Sequence, residues 1–357
     1  MNTVRVHASR DYSIFIGSGL LAQVGSLTAA VKTPCRVMLV ADSNVAPLYA
    51  DRAAAAFAQA GFSVERFVFA AGEASKNMQT LQRLLEALGT AGFTRSDLLA
   101  ALGGGVTGDL TGFAAAVYQR GVDYVQLPTS LLAAVDSSVG GKTAVDLACG
   151  KNMAGCFWQP RLVVCDTDVF ATLPRAEFAN GMGEVIKYGV ILDKALFEQL
   201  ETADVHAGLE AVIARCCQLK AQVVEDDERD TGRRALLNYG HTIGHAVELC
   251  SHFAVPHGCG VAIGMVAMAR AAARHGAAPA GLDARIAALC RRFGLPTGTQ
   301  LPAAQLAAAA HADKKRGGSG ITVVVPSALG AADCRRLTLV ELVEWIADGV
   351  PGTAEPC

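Results

Sequence analysis

The chain has 357 residues, of which 52% are hydrophobic and 18% charged, and its formal net charge is −2. This length suffices for two domains with a core each, and the composition is typical of a helix-rich globular protein. The near-neutral charge offers no basic surface to nucleic acid or to an anionic membrane. No apolar run reaches the roughly 20 residues of a membrane span. We therefore expect neither a nucleic-acid partner nor membrane attachment.

The eleven cysteines show no C-x-x-C spacing. The N-terminal residues carry charges where a secretory signal peptide needs an apolar core. Both features favour reduced cysteines in a cytoplasmic protein.

Strands and helices alternate over the first half of the chain. The predicted strands are 4–8 and 12–17, which form a hairpin, then 36–42, 62–69, 97–104, 123–129 and 161–166, and the predicted helices are 47–60, 75–89 and 106–120. Ser75 is the expected N-cap of its helix. Such alternation predicts a mostly parallel sheet that is covered on both faces.

From about Arg175 onward the pattern becomes helical. Helical periodicity covers 175–202, 207–227, 234–250, 258–275, 281–293 and 338–348, and 321–326 is the one predicted strand. The sequence thus predicts an α/β protein of two domains. These are an N-terminal α/β nucleotide-binding domain over residues 1–170 and a C-terminal, mainly α-helical domain over residues 171–357.

A glycine cluster follows the predicted strand at 97–104, in the segment LGGGVTGDLTGF. Gly103, Gly105 and Gly108 satisfy G-x-G-x-x-G, a pattern that lets backbone N–H groups approach a pyrophosphate at a helix N-terminus. The usual finger follows the first strand and has an acid at the end of the next one, whereas here the next strand ends in LPT. A glycine turn that serves only packing is the alternative. Asp42, which ends an earlier strand, could hold the ribose of a nucleotide.

A second glycine-rich segment, VDSSVGGKTAVD, imitates the end of a P-loop at Gly141, Lys142 and Thr143. Asp136 stands where that motif needs its first glycine, which excludes a Walker A loop. Lys142 on a glycine-rich loop can still hold a phosphate as a point charge.

The segment RALLNYGHTIGHAVELC places Arg234, Asn238, His241 and His245 at spacings that form one stripe of a single helix. Neither a solvated face nor an apolar core normally carries these residue types. A buried hydrogen-bonded face is the alternative to a functional site.

Four of the eight histidines lie within 241–257, which favours a metal site. H-T-I-G-H has the histidine spacing of a zinc protease but lacks the glutamate that serves as its base. Glu184, in the apolar segment NGMGEVIKYG, can supply a carboxylate, and His257 a second imidazole. Basic residues are also numerous on glycine-rich or helix-start segments, which suggests a small substrate with more than one anionic group.

Together these motifs resemble the 3-dehydroquinate synthase family of the sugar phosphate cyclases over nearly the whole chain. The segments that carry the resemblance are GGGVTGDLTGF, YQRGVDYVQLPTSLLAAVDSSVGGKT, GKNMAG, TLPRAEFANGMGEVIKYG, RALLNYGHTIGHAVE, PHGCGVAIGM and DKK. The resemblance implies a cytoplasmic, homodimeric lyase of the shikimate pathway. It implies conversion of the sugar phosphate 3-deoxy-D-arabino-heptulosonate 7-phosphate to 3-dehydroquinate and phosphate, with NAD and a divalent metal, Zn²⁺ or Co²⁺.

The family's functional residues carry over to this sequence position by position. The implied metal ligands are Glu184, His241 and His257. The implied nucleotide contacts are Asp42, Glu73, Lys76, Gly104, Gly105, Val106, Thr107, Gly108, Asp109, Thr129, Ser130, Lys142 and Lys151. The implied substrate contacts are Arg120, Asp136, Asn152, Lys187, Lys220, Arg234, Asn238, His245, Lys314 and Lys315. Among all of these, the implied catalytic residues are Asp136, Lys142, Glu184, Lys187 and His245, and Arg120 is implied to reach the partner subunit's site.

The sequence departs from the family pattern at Ala71, Asp146, Asp230 and Cys259, where the family usually has Asp, Asn, Glu and Glu. These departures bear on substrate contacts and metal preference. Three other hypotheses remain: a cyclase for a neutral-headed sugar such as sedoheptulose 7-phosphate, a metal-dependent polyol dehydrogenase, and a non-catalytic nucleotide-binding regulator.

Overall fold

The computed structural model describes residues 1–314 and 320–350, without the side chains of 312–314. The strands are β1 (Asn2–Val6), β2 (Tyr12–Gly17), β3 (Arg36–Asp42), β4 (Ser63–Phe69), β5 (Leu98–Gly103), β6 (Asp123–Pro128), β7 (Lys142–Leu147), β8 (Gly150–Phe157), β9 (Leu162–Asp166), β10 (Ile321–Ala328) and β11 (Ala331–Leu337). The helices are α1 (Val24–Ala29), α2 (Asp51–Gln59), α3 (Met78–Thr90), α4 (Gly105–Val117), α5 (Arg175–Ile191), α6 (Lys194–Thr202), α7 (Leu209–Asp226), α8 (His241–Cys250), α9 (His257–Arg274), α10 (Leu282–Arg292), α11 (Ala303–Lys314) and α12 (Leu339–Gly349).

The chain divides into two compact units. The first unit comprises Met1–Leu173 together with Leu209–Arg229, and the second comprises Pro174–Gly208 and the chain from Asp230. The sequence predicted one division near residue 170, so α7 is the segment that the structure groups differently. This helix packs on β1 and β2, and Glu225 at its end accepts the backbone N–H of His7 at 3.1 Å.

The first unit is built on a sheet with the strand order β1-β2-β9-β6-β5-β3-β4. Only the β1–β2 pair in this sheet is antiparallel, and the remaining neighbours run parallel. The central strand β5 (LLAALG) is buried along its whole length, as expected for a parallel strand covered on both faces. Leu84, Leu88, Leu99, Leu110 and Tyr124 join α3, α4 and the sheet in one buried cluster. The predicted α/β class is confirmed.

The order of connection in this sheet reverses between two neighbouring strands. From β3 the chain continues to β4 on one side, whereas from β5 it continues to β6 on the other. Open α/β sheets bind their ligands outside the carboxyl ends of the strands, at such a switch point. Asp42 ends β3 and Gly103 ends β5, so both lie at this position.

Residues 142–157 form a hairpin, although the sequence analysis expected a glycine-rich loop around Lys142. Strands β7 and β8 pair antiparallel, with Lys142 opposite Phe157. Glycine is what permits this pairing at Gly155, since a Cβ there would lie 2.1 Å from the Thr143 carbonyl oxygen. Gly140 and Gly141 do lie in a loop, with φ angles of 94° and 67°, whereas Lys142 already belongs to β7.

The second unit is mainly helical, as predicted, and its helices α5, α8 and α9 pack together. Two of its elements were not predicted: the Ala-rich α11, and β11, which pairs with β10 in an antiparallel hairpin. The expectation of one strand after residue 175 was therefore wrong. Within the described ranges, no helix combines the length and apolarity that crossing a bilayer requires.

Candidate functional site

The glycine turn between β5 and α4 brings the candidate nucleotide-binding residues of the first unit together. Gly104 is the extended N-cap of α4 and has no side-chain cap, so the first N–H groups of this helix are available to an anion. Gly103 allows the helix to start close to the strand, since a Cβ there would lie 2.3 Å from Thr107 Oγ1. The Thr107 hydroxyl in turn lies 3.4 Å from Asp42 Oδ2. Asp42, which the sequence suggested as a ribose-binding acid, therefore lies beside the glycine turn.

Thr129 and Ser130 follow the end of the neighbouring strand β6. The Thr129 N–H donates to the Gly103 carbonyl at 2.9 Å. A Cβ on Gly104 would lie 3.3 Å from Ser130 Oγ. These two residues therefore border the glycine turn on its β6 side.

Lys76 is buried and connects three segments of the first unit. Its Nζ lies 2.6 Å from Asp109 Oδ2 on α4 and donates to Asn152 Oδ1 of β8 at 2.5 Å. Burial works against its charge, but the carboxylates of Asp109 and Glu73 outweigh it and raise the pKa of Lys76. Burial raises the pKa of Asp109 as well. Near these residues Lys151 Nζ lies 3.7 Å from Glu73 Oε1.

The helix that follows Lys76 begins later than the sequence analysis expected. Asn77 is its N-cap, with a side chain that accepts the Thr80 N–H at 2.8 Å. Ser75 instead belongs to a short 3₁₀ turn that ends before Lys76. The prediction of Ser75 as the cap was wrong because Ser75 belongs to this turn and the helix begins only at Met78.

Lys220 and Asp136 form a second charge pair in the first unit, in which Lys220 is buried and Asp136 partly exposed. Lys220 Nζ on α7 donates to the Asp136 carbonyl oxygen at 2.7 Å and to its Oδ1 at 2.9 Å. Asp136 lies on a one-turn π-helix over Ala133–Ser137, a local irregularity that is frequent at functional sites. Ser137 from the same turn would lie 3.2 Å from a Cβ on Gly105.

Two cationic candidates of the first unit are exposed, namely Lys142 and Arg120. Lys142 begins β7. Arg120 and its neighbour Gln119 adopt positive φ angles of 66° and 48°, a conformation that non-glycine residues rarely keep without compensation from the surrounding structure.

In the second unit, Glu184, His241 and His257 converge on one point. Glu184 Oε1 lies 3.5 Å from His241 Nε2 and 3.4 Å from His257 Nε2. Tetrahedral bonds of about 2.0–2.1 Å to a zinc ion imply about 3.3–3.4 Å between ligand atoms. The donor set and its spacing therefore fit a divalent cation with two imidazole ligands and one carboxylate ligand.

Hydrogen bonds on the far side of each imidazole select the nitrogen that faces this point. His241 Nδ1 lies 3.0 Å from the Tyr239 carbonyl oxygen, and His257 Nδ1 lies 2.9 Å from Glu248 Oε1. Both partners accept only, so each Nδ1 carries its proton and each Nε2 points to Glu184.

Lys187 follows Glu184 by one helical turn and contacts its second oxygen, Oε2. Both side chains are fully or almost fully buried, with 0% exposure for Glu184 and 1% for Lys187. Burial, followed by the Lys187 cation, holds the pKa of His241 well below its usual range. Burial opposes the charge of His257 too, but Glu184 and Glu248 raise its pKa to about 9.

The predicted stripe of Arg234, Asn238, His241 and His245 does not lie on one helix. Arg234 and Asn238 belong to a 3₁₀ segment, Arg233–Asn238, and α8 begins only at His241. Gly240 interrupts the helix with a φ of 78°, and a Cβ there would lie 2.7 Å from the Val261 carbonyl oxygen on α9. The single-helix prediction was wrong because the backbone leaves the helical region at Tyr239, with a ψ of 129°, and at Gly240.

The members of this set also differ in burial. Arg234 is buried, whereas Asn238 and His245 are exposed. The imidazoles of His241 and His245 remain neighbours, with ring centroids 5.3 Å apart. Of the remaining predicted substrate contacts, the Lys314 side chain and Lys315 lie outside the described residues.

Sequence reasoning missed Glu248 and Asn180. Asn180 Oδ1 accepts the Gly258 N–H at 2.5 Å and so fixes the start of α9, where His257 lies. Glu248 follows His241 and His245 at helical spacings of seven and three residues, a signal that the sequence offered. No such spacing signal connects Asn180 with residue 258.

Cys259, two residues beyond His257, is half-buried on α9. Among the described residues it is in neither of the groups whose potential ligand atoms converge. None of the ten described cysteines forms a disulfide.

Comparison with known proteins gives one consistent family. The family model for 3-dehydroquinate synthase N-terminal matches residues 66–180, and that for 3-dehydroquinate synthase C-terminal matches residues 181–316. The chain is 45% identical over 343 residues to the 3-dehydroquinate synthase of Streptococcus sanguinis, covering 94% of this chain and 96% of that protein.

Two solved structures of related cyclases share the fold. One is 2-deoxy-scyllo-inosose synthase complexed with carbaglucose-6-phosphate, NAD⁺ and Co²⁺, with a TM-score of 0.87, 26% identity and coverage of 98% and 100% of the two chains. The other is 2-epi-5-epi-valiolone synthase from Streptomyces hygroscopicus with NAD⁺ and Zn²⁺ bound, with a TM-score of 0.86, 26% identity and coverage of 97% and 98%. On the strength of both family models and the 45% identity, the chain belongs to the 3-dehydroquinate synthase family.

Proposed function

We propose that this protein is a 3-dehydroquinate synthase that converts 3-deoxy-D-arabino-heptulosonate 7-phosphate to 3-dehydroquinate and phosphate. The observation that carries the proposal is the buried cluster of Glu184, His241 and His257 with Lys187 beside it, in a chain of this family. NAD and Zn²⁺ or Co²⁺ are the proposed cofactors, as in the related cyclases crystallised with them.

The cofactors supply reversible redox chemistry and charge stabilisation. When bound, the metal ion polarises a ring hydroxyl of the substrate while NAD accepts a hydride and later returns it, which makes phosphate elimination possible with no net oxidation. Glu184, His241 and His257 are the proposed ligands. Three protein ligands leave coordination positions for substrate hydroxyls, as catalytic sites require.

The glycine turn of the first unit is the proposed NAD site. Gly104, Gly105, Val106, Thr107 and Gly108 present the N-terminus of α4 to the pyrophosphate. Asp42 is placed to bind a ribose hydroxyl beside that turn. The other proposed contacts are Glu73, Lys76, Asp109, Thr129, Ser130, Lys142 and Lys151.

Cationic and polar residues are the proposed substrate contacts, and each unit contributes its own. Arg234 and Lys220, both buried, carry the positive charge that suits the substrate carboxylate. Lys142, Asn152 and His245 are exposed and suit the phosphate. Asp136 orients Lys220 through two hydrogen bonds. Lys187, whose Nζ contacts Glu184 Oε2, is the proposed group for proton transfer at the substrate hydroxyl.

We further propose that the protein works in the cytoplasm as a homodimer. The eleven cysteines show no C-x-x-C spacing, which favours a reducing compartment. Arg120, exposed and held in a left-handed conformation at the end of the α4 segment, is the proposed contribution of one subunit to its partner's site.

A comparison of two substrates tests the proposed reaction. The metal- and NAD-loaded protein is offered either the carboxylated heptulosonate 7-phosphate or sedoheptulose 7-phosphate, which lacks the carboxylate. We expect turnover of the first and little of the second, because the second cannot make the carboxylate contacts proposed for Arg234 and Lys220. An Arg234→Lys variant is the matched control, and its KM should rise for the carboxylated substrate alone. Turnover restricted to sedoheptulose 7-phosphate would contradict the proposal.

A further inference from the structure

We propose that Glu248 is a positioning residue for metal binding: it holds His257 so that Nε2 faces the ion, without itself becoming a ligand. The inference rests on the metal site of the proposed function and extends it to a residue that carries no assigned role. It concerns only the second unit.

The contacts of His257 place Glu248 and Glu184 on opposite sides of one ring. Nδ1 lies 2.9 Å from Glu248 Oε1, a hydrogen-bond distance, and Nε2 lies 3.4 Å from Glu184 Oε1. Glu248 is only 3% exposed, so its carboxylate and the imidazole are held within packed structure. A carboxylate behind a ligating histidine fixes the tautomer and increases the basicity of the ligand.

The packing of two helices brings Glu248 to His257. Gly244 on α8 and Gly260 on α9 face each other, and a Cβ on Gly260 would lie 3.0 Å from the Gly244 carbonyl oxygen and 3.4 Å from Glu248 Cγ. Glycines at both positions therefore let the helices approach until the Glu248 carboxylate reaches the first residue of α9.

The two imidazoles of the cluster are oriented by different means. His241 Nδ1 faces the Tyr239 carbonyl oxygen at 3.0 Å, which no side-chain substitution removes. For His257, the corresponding hydrogen-bond acceptor is the side chain of Glu248. The two imidazoles thus give a built-in comparison, in which only His257 can be released by a point mutation of its partner.

Charge also favours a carboxylate at this position. Glu184 and Lys187 compensate each other's charge. Glu248 adds a negative charge behind His257, and this charge favours a divalent cation at the Nε2 side.

A ligand role for Glu248 is the competing reading, because His245, Glu248 and His257 also bring potential ligand atoms within 4.8 Å. An ion held there would have to enter between His257 Nδ1 and Glu248 Oε1. Their separation of 2.9 Å is already that of a direct hydrogen bond, and the donor set around Glu184 offers the tetrahedral spacing instead.

Metal affinity and the spectrum of the cobalt form test the inference. Zn²⁺ affinity is measured by competition with a chelator for the unaltered protein, Glu248→Gln, Glu248→Ala and the control Glu344→Gln, whose side chain is exposed on α12. The absorption spectrum is recorded for each Co²⁺-loaded protein, and circular dichroism of the metal-free forms verifies folding.

We expect the Glu248 variants to lose about 10–100-fold in Zn²⁺ affinity, with Glu248→Gln less affected because its amide oxygen can still accept from Nδ1–H. Their Co²⁺ bands should shift but keep the intensity of the same coordination number, and the control should match the unaltered protein. Unchanged affinity in both variants would overturn the inference, and so would a cobalt spectrum that reports one ligand fewer. If the unaltered protein bound no metal, the proposed function would fail together with the inference. If it bound metal and both Glu248 variants bound it equally well, only the inference would fail.

Discussion

The candidate nucleotide site is built mainly from backbone groups, whereas the candidate metal site is built from side chains. At the strand ends of the first unit, glycines expose the backbone N–H groups of α4, and Asp42 adds a carboxylate beside this turn. In the second unit, three side chains from three helices converge, and Glu184 among them is completely buried. A backbone-built site tolerates many side-chain changes, whereas a side-chain-built metal site depends on each ligand atom. The regions should therefore respond differently to single substitutions.

The largest difference is expected for Glu184→Gln. The amide is a poor ligand for a divalent cation, so metal should be lost and turnover should fall on the order of a thousandfold or more, equivalent to several kcal/mol of transition-state stabilisation. NAD affinity should stay unchanged, because the glycine turn belongs to the other unit.

Metal content by atomic emission, NAD affinity by calorimetry and turnover are measured together for this variant. His241→Ala serves as a second variant, since Glu184→Gln also leaves Lys187 without its charged neighbour. Full metal content in both variants would contradict the claim that the metal site depends on each ligand side chain.

A smaller effect is expected for Asp42→Asn at the strand ends. The amide keeps an oxygen for the N–H groups of Asn44 and Val45, which Asp42 Oδ1 accepts at 2.8 and 3.1 Å. It removes the negative charge, and the loss of one charge-assisted hydrogen bond to ribose corresponds to about a tenfold weaker NAD affinity. Metal content should not change.

The matched control for Asp42 is Asp51→Asn, an exposed acid on α2 that pairs with Arg66. Titration of both variants with NAD gives the comparison. Equal affinities for the two variants would argue against a nucleotide at the switch point.

The smallest effect is expected for Cys259→Ser. Cys259 lies two residues from His257 on α9, where side chains point about 200° apart, and it is absent from the converging ligand groups of the described residues. Metal content and turnover should remain within about twofold of the unaltered protein, a change below 0.5 kcal/mol. Loss of the metal in this variant, with retention in Glu184→Gln, would show that the ligand assignment is mistaken.

Local patterns in the sequence were enough to predict much of the fold. The buried strand β5 is a continuous apolar run that ends in glycine, and β3 ends in an acid, so both were recognisable. The β7–β8 hairpin was not recognisable, because glycines are typical of loops. Only the structure shows that they let these two strands approach closely. The break at Gly240 was not recognisable either, because a lone glycine is compatible with both a continuous helix and a helix end.

The candidate metal cluster was predicted from residue type, whereas its supporting contacts were not. An acid within an apolar helix and paired histidines are unusual enough to draw attention to Glu184, His241 and His257. The contacts of Glu248 with His257 and of Asn180 with Gly258 depend on how α5, α8 and α9 pack. Such long-range packing is not encoded in any local spacing.

The balance between phosphate and NADH tests the central claim most directly. The protein is mixed with Zn²⁺ or Co²⁺, the heptulosonate 7-phosphate and an amount of NAD far below that of the substrate. Phosphate and the absorbance of NADH are then followed together. The account predicts phosphate release in proportion to substrate with no accumulation of NADH, because the hydride returns in every turnover. Steady accumulation of NADH without phosphate release would identify a dehydrogenase and contradict the account.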